Sequence, residues 1–334
     1  MLIVRVLDDT SSLAHAGEMR IAILDDYQHV ALTAADWRAL PPDSEVQVFH
    51  DHLHDEAALV ARLRSFQVIV AMRERTPFAR SLLEQLPELR LLITTGARNA
   101  SIDVAAARAR GIVVCGTGGL PYPTAELTWG LILALARNIP QEDRAARQGT
   151  WQTTLGVGIS GKTLAVLGLG RLGTQVARIG RAFGANVIAW SPNLTRERAA
   201  AAEVELVDKH QLLSRADFLT VHLVLGPKTR GLLGAAELAR LKRTAYVINT
   251  SRGPIIDEAA LVAALREQRI AGAGLDVFDV EPLPVDHPLR TLPNTVITPH
   301  IGYVTRETYE IFYREAIEDI LAFVAGAPRR VIEP

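Results

Sequence analysis

Short runs of β-forming residues alternate with helical patterns along most of this chain of 334 residues. Alternation of this kind is typical of βαβ units, in which consecutive strands join one parallel sheet. From Met19 on, a first series of such runs comprises Arg20–Leu24, Val46–Phe49, Val68–Ala71, Leu91–Thr94 and Val113–Cys115. The pattern therefore predicts an α/β fold.

A second series of strands follows a break at Pro121 and Pro123 and a long apolar helix, Ala125–Arg137. Its six runs are Thr163–Leu167, Val187–Trp190, Phe218–Leu223, Ala245–Asn249, Gly272–Val277 and Thr295–Thr298. A last helical stretch, Glu307–Val324, would complete the first domain. We predict two doubly wound parallel-sheet domains: a flavodoxin-like domain of residues 1–120 and 303–334, split around an inserted Rossmann domain of residues 121–302.

Composition limits the partners of the chain. Lys and Arg number 36 and Asp and Glu 37, giving a net charge of −1 and no field of one sign to attract nucleic acid or anionic lipid. No apolar stretch approaches the ~20 residues of a membrane span. The one cysteine, Cys115, cannot form an internal disulfide and fits a reducing cytosol. We expect a cytoplasmic protein with neither nucleic-acid nor membrane partners.

Two smaller features have bland interpretations. Met19 begins a cleaner strand than the preceding residues do, so we interpret Met1–Glu18 as an extension of unknown structure, the alternative being an added edge strand. His50, His52 and His54 are interpreted as a polar strand exit, and no metal site is expected, because no Cys/His pattern has the spacing of zinc ligands.

The most specific local motif is a glycine-rich turn, "GLGRLG", between the strand "TLAVL" and the helical pattern "TQVARIGRAF". Gly168 permits the tight turn, Gly170 lets the backbone approach a pyrophosphate, and Gly173 lets helix and strand pack closely. Arg171 and Leu172 complete the turn. In this strand-turn-helix setting the motif predicts dinucleotide binding at a helix N-terminus.

Three chemically distinct side chains follow three successive strands. Arg252 follows "AYVIN", Glu281 follows "GLDVF", and His300 lies in "TPHIGY" between Pro299, which stiffens the backbone, and Gly302, which frees it. A guanidinium can hold a carboxylate and polarise a neighbouring carbonyl. A carboxylate at the second nitrogen of a histidine fixes its tautomer and favours its protonated form. We predict catalytic roles for all three residues beside a bound nicotinamide.

These motifs together resemble the D-isomer-specific 2-hydroxyacid dehydrogenases. The resemblance covers nearly everything from Met19 on, through "GLGRLG", "NTSRGPIID", "GLDVFDVEPLP" and "LPNTVITPHIGY". It implies an NAD(P)-dependent 2-keto acid reductase in which Arg252 anchors the substrate, Glu281 orients the acid/base His300, and Asp276 lies on the nicotinamide side.

The same resemblance implies further contacts and an assembly. Thr250, Ser251 and Gly302 are expected to contact the cofactor. A cleft between the domains and a homodimer built on the helix region that begins near Ala125 are also implied.

The chain departs from the family pattern in the loop that donates backbone N–H groups to the substrate carboxylate. This loop reads Gly96-Ala97-Arg98, with Arg98 in place of a small residue. Arg98 either adds a cation for a second anionic group of the substrate or points to solvent, and we favour the first. Arg73 and Arg75, after another strand of this domain, make a cationic pocket mouth a second expectation.

Ser191 bears on the choice of cofactor. An acidic residue about 20 positions beyond the first glycine usually binds the adenosine ribose of NAD, and here the matching residue is Ser191. Without that carboxylate, and with Arg196 close by, the sequence favours NADP over NAD. The alternative is that Ser191 binds the ribose of NAD while Arg196 lies on the surface.

Two other functions fit part of the pattern. Some relatives act as dinucleotide-sensing corepressors with little turnover, and this remains the alternative to an enzyme. Formate dehydrogenase, another relative, has a glutamine as the partner of its histidine, and Glu281 argues against that activity.

Overall fold

The computed structural model describes residues 19–334, so the interpretation of Met1–Glu18 lies outside the described residues. The chain divides into two compact units. The first comprises the described residues up to Leu120 together with Thr305–Pro334, and the second is Pro121–Val304. The second unit thus ends two residues beyond the boundary expected from the sequence.

The first unit is built on one parallel sheet. Its strands are β1 (Met19–Ile23), β2 (Ser44–Val48), β3 (Val68–Ala71), β4 (Leu91–Thr94) and β5 (Val113–Gly116), in the order β2-β1-β3-β4-β5. This is the flavodoxin-like order, as predicted. Its helices are α1 (Glu56–Leu63), α2 (Arg80–Glu84), α3 (Val104–Ala109) and, near the end of the chain, α11 (Arg306–Val324).

Local sequence explains where helices of this unit begin. Asp55, Asp103 and Thr305 precede α1, α3 and α11, and each side chain accepts a hydrogen bond from a backbone N–H of the first turn. The central strands β3 and β4 are buried along their whole length, because helices cover both faces of a doubly wound sheet.

The second unit has a seven-stranded parallel sheet. Its strands are β6 (Thr163–Leu167), β7 (Asn186–Trp190), β8 (Glu205–Leu206), β9 (Phe218–Val221), β10 (Tyr246–Asn249), β11 (Gly272–Leu275) and β12 (Thr295–Ile297). The order β12-β11-β10-β9-β6-β7-β8 is the Rossmann order extended by one strand. The sequence predicted the other six strands. It gave no sign of β8, because a strand of two residues makes no periodic pattern.

Helices cover both faces of this second sheet. They are α4 (Pro123–Ala136), α5 (Ile139–Arg147), α6 (Arg171–Ala182), α7 (Arg196–Ala201), α8 (Lys209–Arg215), α9 (Ala235–Leu238) and α10 (Glu258–Arg266). Two separate apolar cores result. The strand order reverses between β6 and β9, and in open sheets of this kind ligands bind outside the carboxyl ends of the strands at that point.

Candidate active site

The glycine-rich turn connects β6 to α6. Gly168 has a φ of +105°, and a Cβ there would lie 2.6 Å from the carbonyl oxygen of His222. A Cβ on Gly173 would lie 2.0 Å from the carbonyl oxygen of Gly168. Around the Cβ position of Gly170, by contrast, no described atom lies within 4 Å. The turn is therefore closed on its protein side and open at Gly170, where an anion would approach the uncapped first turn of α6.

The carboxyl ends of β10, β11 and β12 are adjacent. Asn249 pairs in register with Leu275, and Leu275 with Ile297, so the segments that follow these strands leave one edge of the sheet together. Arg252, Glu281 and His300 lie on those three segments.

His300 and Glu281 form a close pair. The Nδ1 atom of His300 lies 2.6 Å from Oε2 of Glu281, and the two side chains are 22% and 32% exposed. The second oxygen of Glu281 accepts a hydrogen bond from the N–H of Phe278 at 2.9 Å. Because Nδ1 faces the carboxylate, proton exchange with a ligand falls to Nε2 of His300.

Asp276 holds the loop that carries His300. Its side chain is 1% exposed, and one oxygen accepts hydrogen bonds from the Thr298 hydroxyl at 2.6 Å and the Ile301 N–H at 2.8 Å. The other oxygen accepts the Gly302 N–H at 2.8 Å. Burial raises the pKa of Asp276, against the opposing effect of these hydrogen bonds. Sequence reasoning missed this structural role, because it depends on contacts across 26 residues.

The backbone of this loop differs from the expectation. His300, and not Gly302, has left-handed backbone, with a φ of +53°. Gly302 is needed for close approach instead, since a Cβ there would lie 3.1 Å from Asp276 Oδ2 and 3.2 Å from the side chain of Thr124. The interpretation that Gly302 frees the backbone was therefore wrong.

The turn after β10 places Arg252. The buried Asn249 donates to the carbonyl of Arg252 and accepts the N–H of Ser251, both at 3.0 Å. The guanidinium donates to the Ser251 carbonyl at 2.7 Å. A Cβ on Gly253 would lie 2.1 Å from the carbonyl carbon of Phe278, so this turn packs directly against the loop that carries Glu281.

Two predicted cofactor contacts in this turn have partners within the protein. The hydroxyls of Thr250 and Thr128 lie 2.8 Å apart, and the Ser251 hydroxyl donates to the carbonyl of Leu223. These bonds tie the turn after β10 to helix α4 and to the segment that follows β9.

His222 lies close to the same edge but is a poor acid/base. Burial lowers its pKa to about 4, so the ring is neutral at neutral pH. Its Nε2 lies 2.9 Å from the hydroxyl of Thr220.

A cavity of about 660 Å³ lies beyond the carboxyl ends of β7 and β8. Ser191 and Arg196 both line it, together with Trp190, Pro192, Leu194, Val204, Asp208 and Gln211. Trp190 ends the strand that follows α6, which is where the adenosine half of a dinucleotide lies in Rossmann domains. The cavity thus brings together the two residues on which the expectation for NADP depends.

In the first unit, the loop after β4 is shaped by buried polar groups. The Gly96 N–H donates to the Thr117 hydroxyl at 2.7 Å, and the Asn99 amide donates to the Thr94 hydroxyl at 2.9 Å. Gly96 has a φ of +91°, and a Cβ there would overlap the guanidinium of Arg73. Ala97 and Arg98 are exposed at the tip of this loop.

The histidines after β2 pair with acids of the same unit. His52 Nδ1 lies 2.8 Å from Asp25 Oδ1, and His50 stacks on His29 with ring centroids 3.7 Å apart. Within residues 19–334, no group of three His, Cys, Asp or Glu side chains could hold a metal ion. In the same part of the chain, no helix is both long enough and apolar enough to cross a membrane.

The fold and the turn define a class: two parallel α/β units, one of them a Rossmann unit with a dinucleotide-binding turn. Residues 129–302 match the model of the D-isomer specific 2-hydroxyacid dehydrogenase, NAD binding domain. The chain is 43% identical over 255 residues to glyoxylate reductase from Aeropyrum pernix, an alignment that covers 73% of this chain and 76% of that protein. The chain belongs to the D-isomer specific 2-hydroxyacid dehydrogenase family, which confirms the resemblance seen in its motifs.

Other similar proteins differ in length. D-3-phosphoglycerate dehydrogenase from Methanocaldococcus jannaschii is 42% identical over 272 residues, which are 80% of this chain and 52% of that protein. The chain thus spans about half the length of such relatives. Among solved structures, phosphoglycerate oxidoreductase from Vibrio cholerae has a TM-score of 0.88 at 37% identity and covers 92% of this chain and 100% of that one.

Proposed function

We propose that the protein is an NAD(P)-dependent oxidoreductase that interconverts 2-keto acids and D-2-hydroxy acids. One observation carries the proposal: Nδ1 of His300 lies 2.6 Å from Oε2 of Glu281. The pair lies at the sheet edge from which the segment of Arg252 also leaves. Family membership supports the same chemistry. In this proposal the second unit binds the dinucleotide and supplies Arg252, Glu281 and His300, and the first unit adds further substrate contacts.

Each catalytic side chain has a distinct task. When bound, the nicotinamide supplies or accepts the hydride at C2 of the substrate. Arg252 binds the substrate carboxylate and polarises the keto group, because a guanidinium presents two parallel N–H donors. The Nε2–H of His300 gives its proton to the developing alkoxide oxygen, and Glu281 stabilises the imidazolium before that transfer. Oxidation of the hydroxy acid uses the same groups in reverse.

The cofactor site fits a dinucleotide. Gly168, Gly170 and Gly173 leave the turn before α6 open only where a pyrophosphate would approach. The further residues proposed to contact the cofactor are Arg171, Leu172, Ser191, Thr250, Ser251, Asp276 and Gly302. Between the two cofactors we favour NADP, since Ser191 brings no carboxylate into the cavity that Arg196 lines.

The proposed substrate contacts of the first unit are Gly96, Ala97 and Arg98. Arg98 is exposed in the loop after β4, and we propose that its guanidinium binds a second anionic group of the substrate. Arg98→Ala should then lower kcat/KM for a 2-keto dicarboxylate and leave pyruvate turnover almost unchanged. Equal losses on both substrates would contradict this role.

We also propose a cytoplasmic homodimer. Ile139, Trp151 and Leu155, on and after α5, are large apolar side chains that are exposed in the single chain. Light scattering at micromolar concentration tests the assembly, and a monomeric mass would contradict it.

The state of Cys115 is compatible with the proposed cytoplasmic location. The residue is buried, and burial raises its pKa to about 12, so it remains a thiol.

The proposed activity is tested by the decrease in absorbance at 340 nm with a panel of 2-keto acids and either NADH or NADPH. Turnover of at least one 2-keto acid is expected. Binding of either cofactor without turnover of any acid would contradict the enzyme and favour the dinucleotide-sensing alternative.

A further inference from the structure

We propose that Glu258 is a positioning residue for this reaction: it binds the loop that carries Glu281 on both sides of that residue and thereby keeps Glu281 against His300. The inference rests on the proposed function, in which Glu281 orients the acid/base histidine. It concerns a residue that touches neither His300 nor Glu281 directly.

The loop needs such support because it has no regular backbone structure. It runs from Asp276, just after β11, to His287, just before the short 3₁₀ helix Pro288–Arg290. Val280 and Val285 on this loop are exposed, whereas Phe278 and Leu283, on either side of Glu281, are buried in the apolar core. Glu281 itself is 32% exposed, so water competes for its carboxylate.

Glu258 bonds to the loop on both sides of Glu281. It is the first residue of α10, directly after the capping Asp257, and its side chain is 21% exposed. One carboxylate oxygen accepts the N–H of Asp279 at 3.2 Å. The other lies 3.0 Å from Nε2 of His287. The two bonds close the loop on either side of Glu281, two residues after Asp279 and six before His287.

The tautomer of His287 determines which atom donates in its hydrogen bond with Glu258. Its Nδ1 lies 3.3 Å from the N–H of Leu289 and accepts from it, so Nδ1 is unprotonated and Nε2–H donates to Glu258. Leu289 is 1% exposed and belongs to the apolar core of the unit. Glu258 therefore connects the loop to the rigid core through His287.

The middle of the loop is braced separately. Arg290 donates to the carbonyls of Leu283 at 2.6 Å and Pro284 at 2.8 Å. These bonds fix the shape of the loop but not its position over the sheet edge. That position follows from the burial of Phe278 and Leu283, from the contact of Gly253 with Phe278, and from the two bonds of Glu258.

A small displacement has a large effect on such a pair. The 2.6 Å contact between Glu281 and His300 is lost if the loop moves by about 1 Å, a misplacement that typically costs up to about 10²-fold in rate. Glu258→Ala should therefore act on catalysis in the same direction as the removal of the Glu281 charge.

The test compares Glu258→Ala with Glu237→Ala as a matched control. Glu237, on α9, also accepts a backbone N–H, from Gly234 at 3.1 Å, and also pairs with a side chain, Lys209 at 3.0 Å. Its side chain is 26% exposed, but it supports no catalytic loop. Both variants lose comparable interactions, and only one loses the proposed positioning.

We expect Glu258→Ala to lower kcat for keto-acid reduction by roughly 10–10²-fold and to shift the loss of activity to lower pH, with cofactor Kd within about twofold of wild type. Combined with Glu281→Gln, it should add little further loss, because both changes break one interaction. Glu237→Ala should show neither change. An unchanged pH profile in Glu258→Ala, or full additivity with Glu281→Gln, would overturn the proposal.

A readout without turnover separates this inference from the proposed function. In ¹⁵N-histidine NMR of the whole protein at one fixed pH, the Nδ1 resonance of His300, which reports its hydrogen bond to Glu281, should shift in Glu258→Ala and stay put in Glu237→Ala. If wild type reduces no 2-keto acid, the proposed function fails while this measurement still decides the positioning role. Should Glu258→Ala not fold, Glu258→Gln, which keeps one acceptor oxygen, is expected to give a smaller shift in the same direction, and no shift would refute the role.

Discussion

Oε2 of Glu281 lies 2.6 Å from Nδ1 of His300, although the residues stand on different loops and 19 positions apart. The pair forms because β11 and β12 are neighbours in the sheet and end at the same level, at Leu275 and Ile297. A carboxylate in this place holds the ring with Nδ1 inward and Nε2 outward.

The first prediction concerns this charge. Glu281→Gln keeps a hydrogen-bond acceptor but removes the charge that favours the imidazolium, which is the form that reduction requires. As pH is raised, activity in the reducing direction should therefore be lost at a lower pH than in wild type. The fall in kcat should be smaller than that caused by removal of the histidine, which is expected to be at least about 10²-fold. Initial rates from pH 5.5 to 9 measure this, and superimposable profiles would show that the pair has no catalytic part.

The second prediction concerns the substrate anchor. Arg252→Lys keeps the positive charge but loses the planar pair of donors that can hold a carboxylate and a keto oxygen together. We expect KM for the 2-keto acid to rise and kcat to fall. Steady-state kinetics on one active substrate test this, with Arg266→Lys on the solvent side of α10 as the control. A lysine variant with normal kcat and KM would remove Arg252 from the site.

The third prediction concerns the cofactor. A carboxylate at position 191 would repel the 2′-phosphate of NADP in the cavity that Arg196 also lines. Wild type should have the higher kcat/KM with NADPH, and Ser191→Asp should reverse the preference. A clear preference of wild type for NADH would be incompatible with this account of Ser191.

Part of the candidate site could be predicted from the sequence and part could not. Gly168, Arg252 and His300 could be placed at strand ends because buried parallel strands have a strong signal and their carboxyl ends share one edge. The double role of Asp276 and the loop closure by Glu258 could not, since both depend on side-chain to backbone bonds between distant segments.

The same limit explains the local errors. Strand β8, Glu205–Leu206, is too short to produce a periodic pattern. The positive φ of His300 could not be predicted either, because in a short loop that contains a glycine the left-handed residue is normally the glycine. There the bonds of Asp276 to the following N–H groups determine the backbone, and they override the local preference.

The fourth prediction concerns stability in the first unit. Asp319 is fully buried in α11, one of its oxygens has no hydrogen-bond partner among residues 19–334, and burial raises its pKa to about 7 despite the nearby charge of Arg330. An unfolded Asp loses its proton near pH 4. Between these values the folded state keeps a proton that the unfolded state has released, so the free energy of unfolding falls as pH rises to about 7.

Asp319→Asn should remove that dependence, which amounts to at most about 1.4 kcal/mol per pH unit for one proton. Urea unfolding at pH 5 and pH 7.5 measures it, with Asp43→Asn, at an exposed position of the same unit, as the control. The same pH dependence in wild type and Asp319→Asn would show that Asp319 is already ionised in the folded protein.

The most direct test of the account is His300→Ala, assayed for reduction of a 2-keto acid that wild type turns over and, in parallel, for cofactor binding by fluorescence. Loss of the group that protonates the alkoxide should lower turnover by about 10²–10⁴-fold, while the Kd of the cofactor stays close to the wild-type value because the glycine-rich turn is untouched. Turnover like that of wild type, with the variant folded and binding cofactor, would contradict the role of His300 and with it the proposed mechanism.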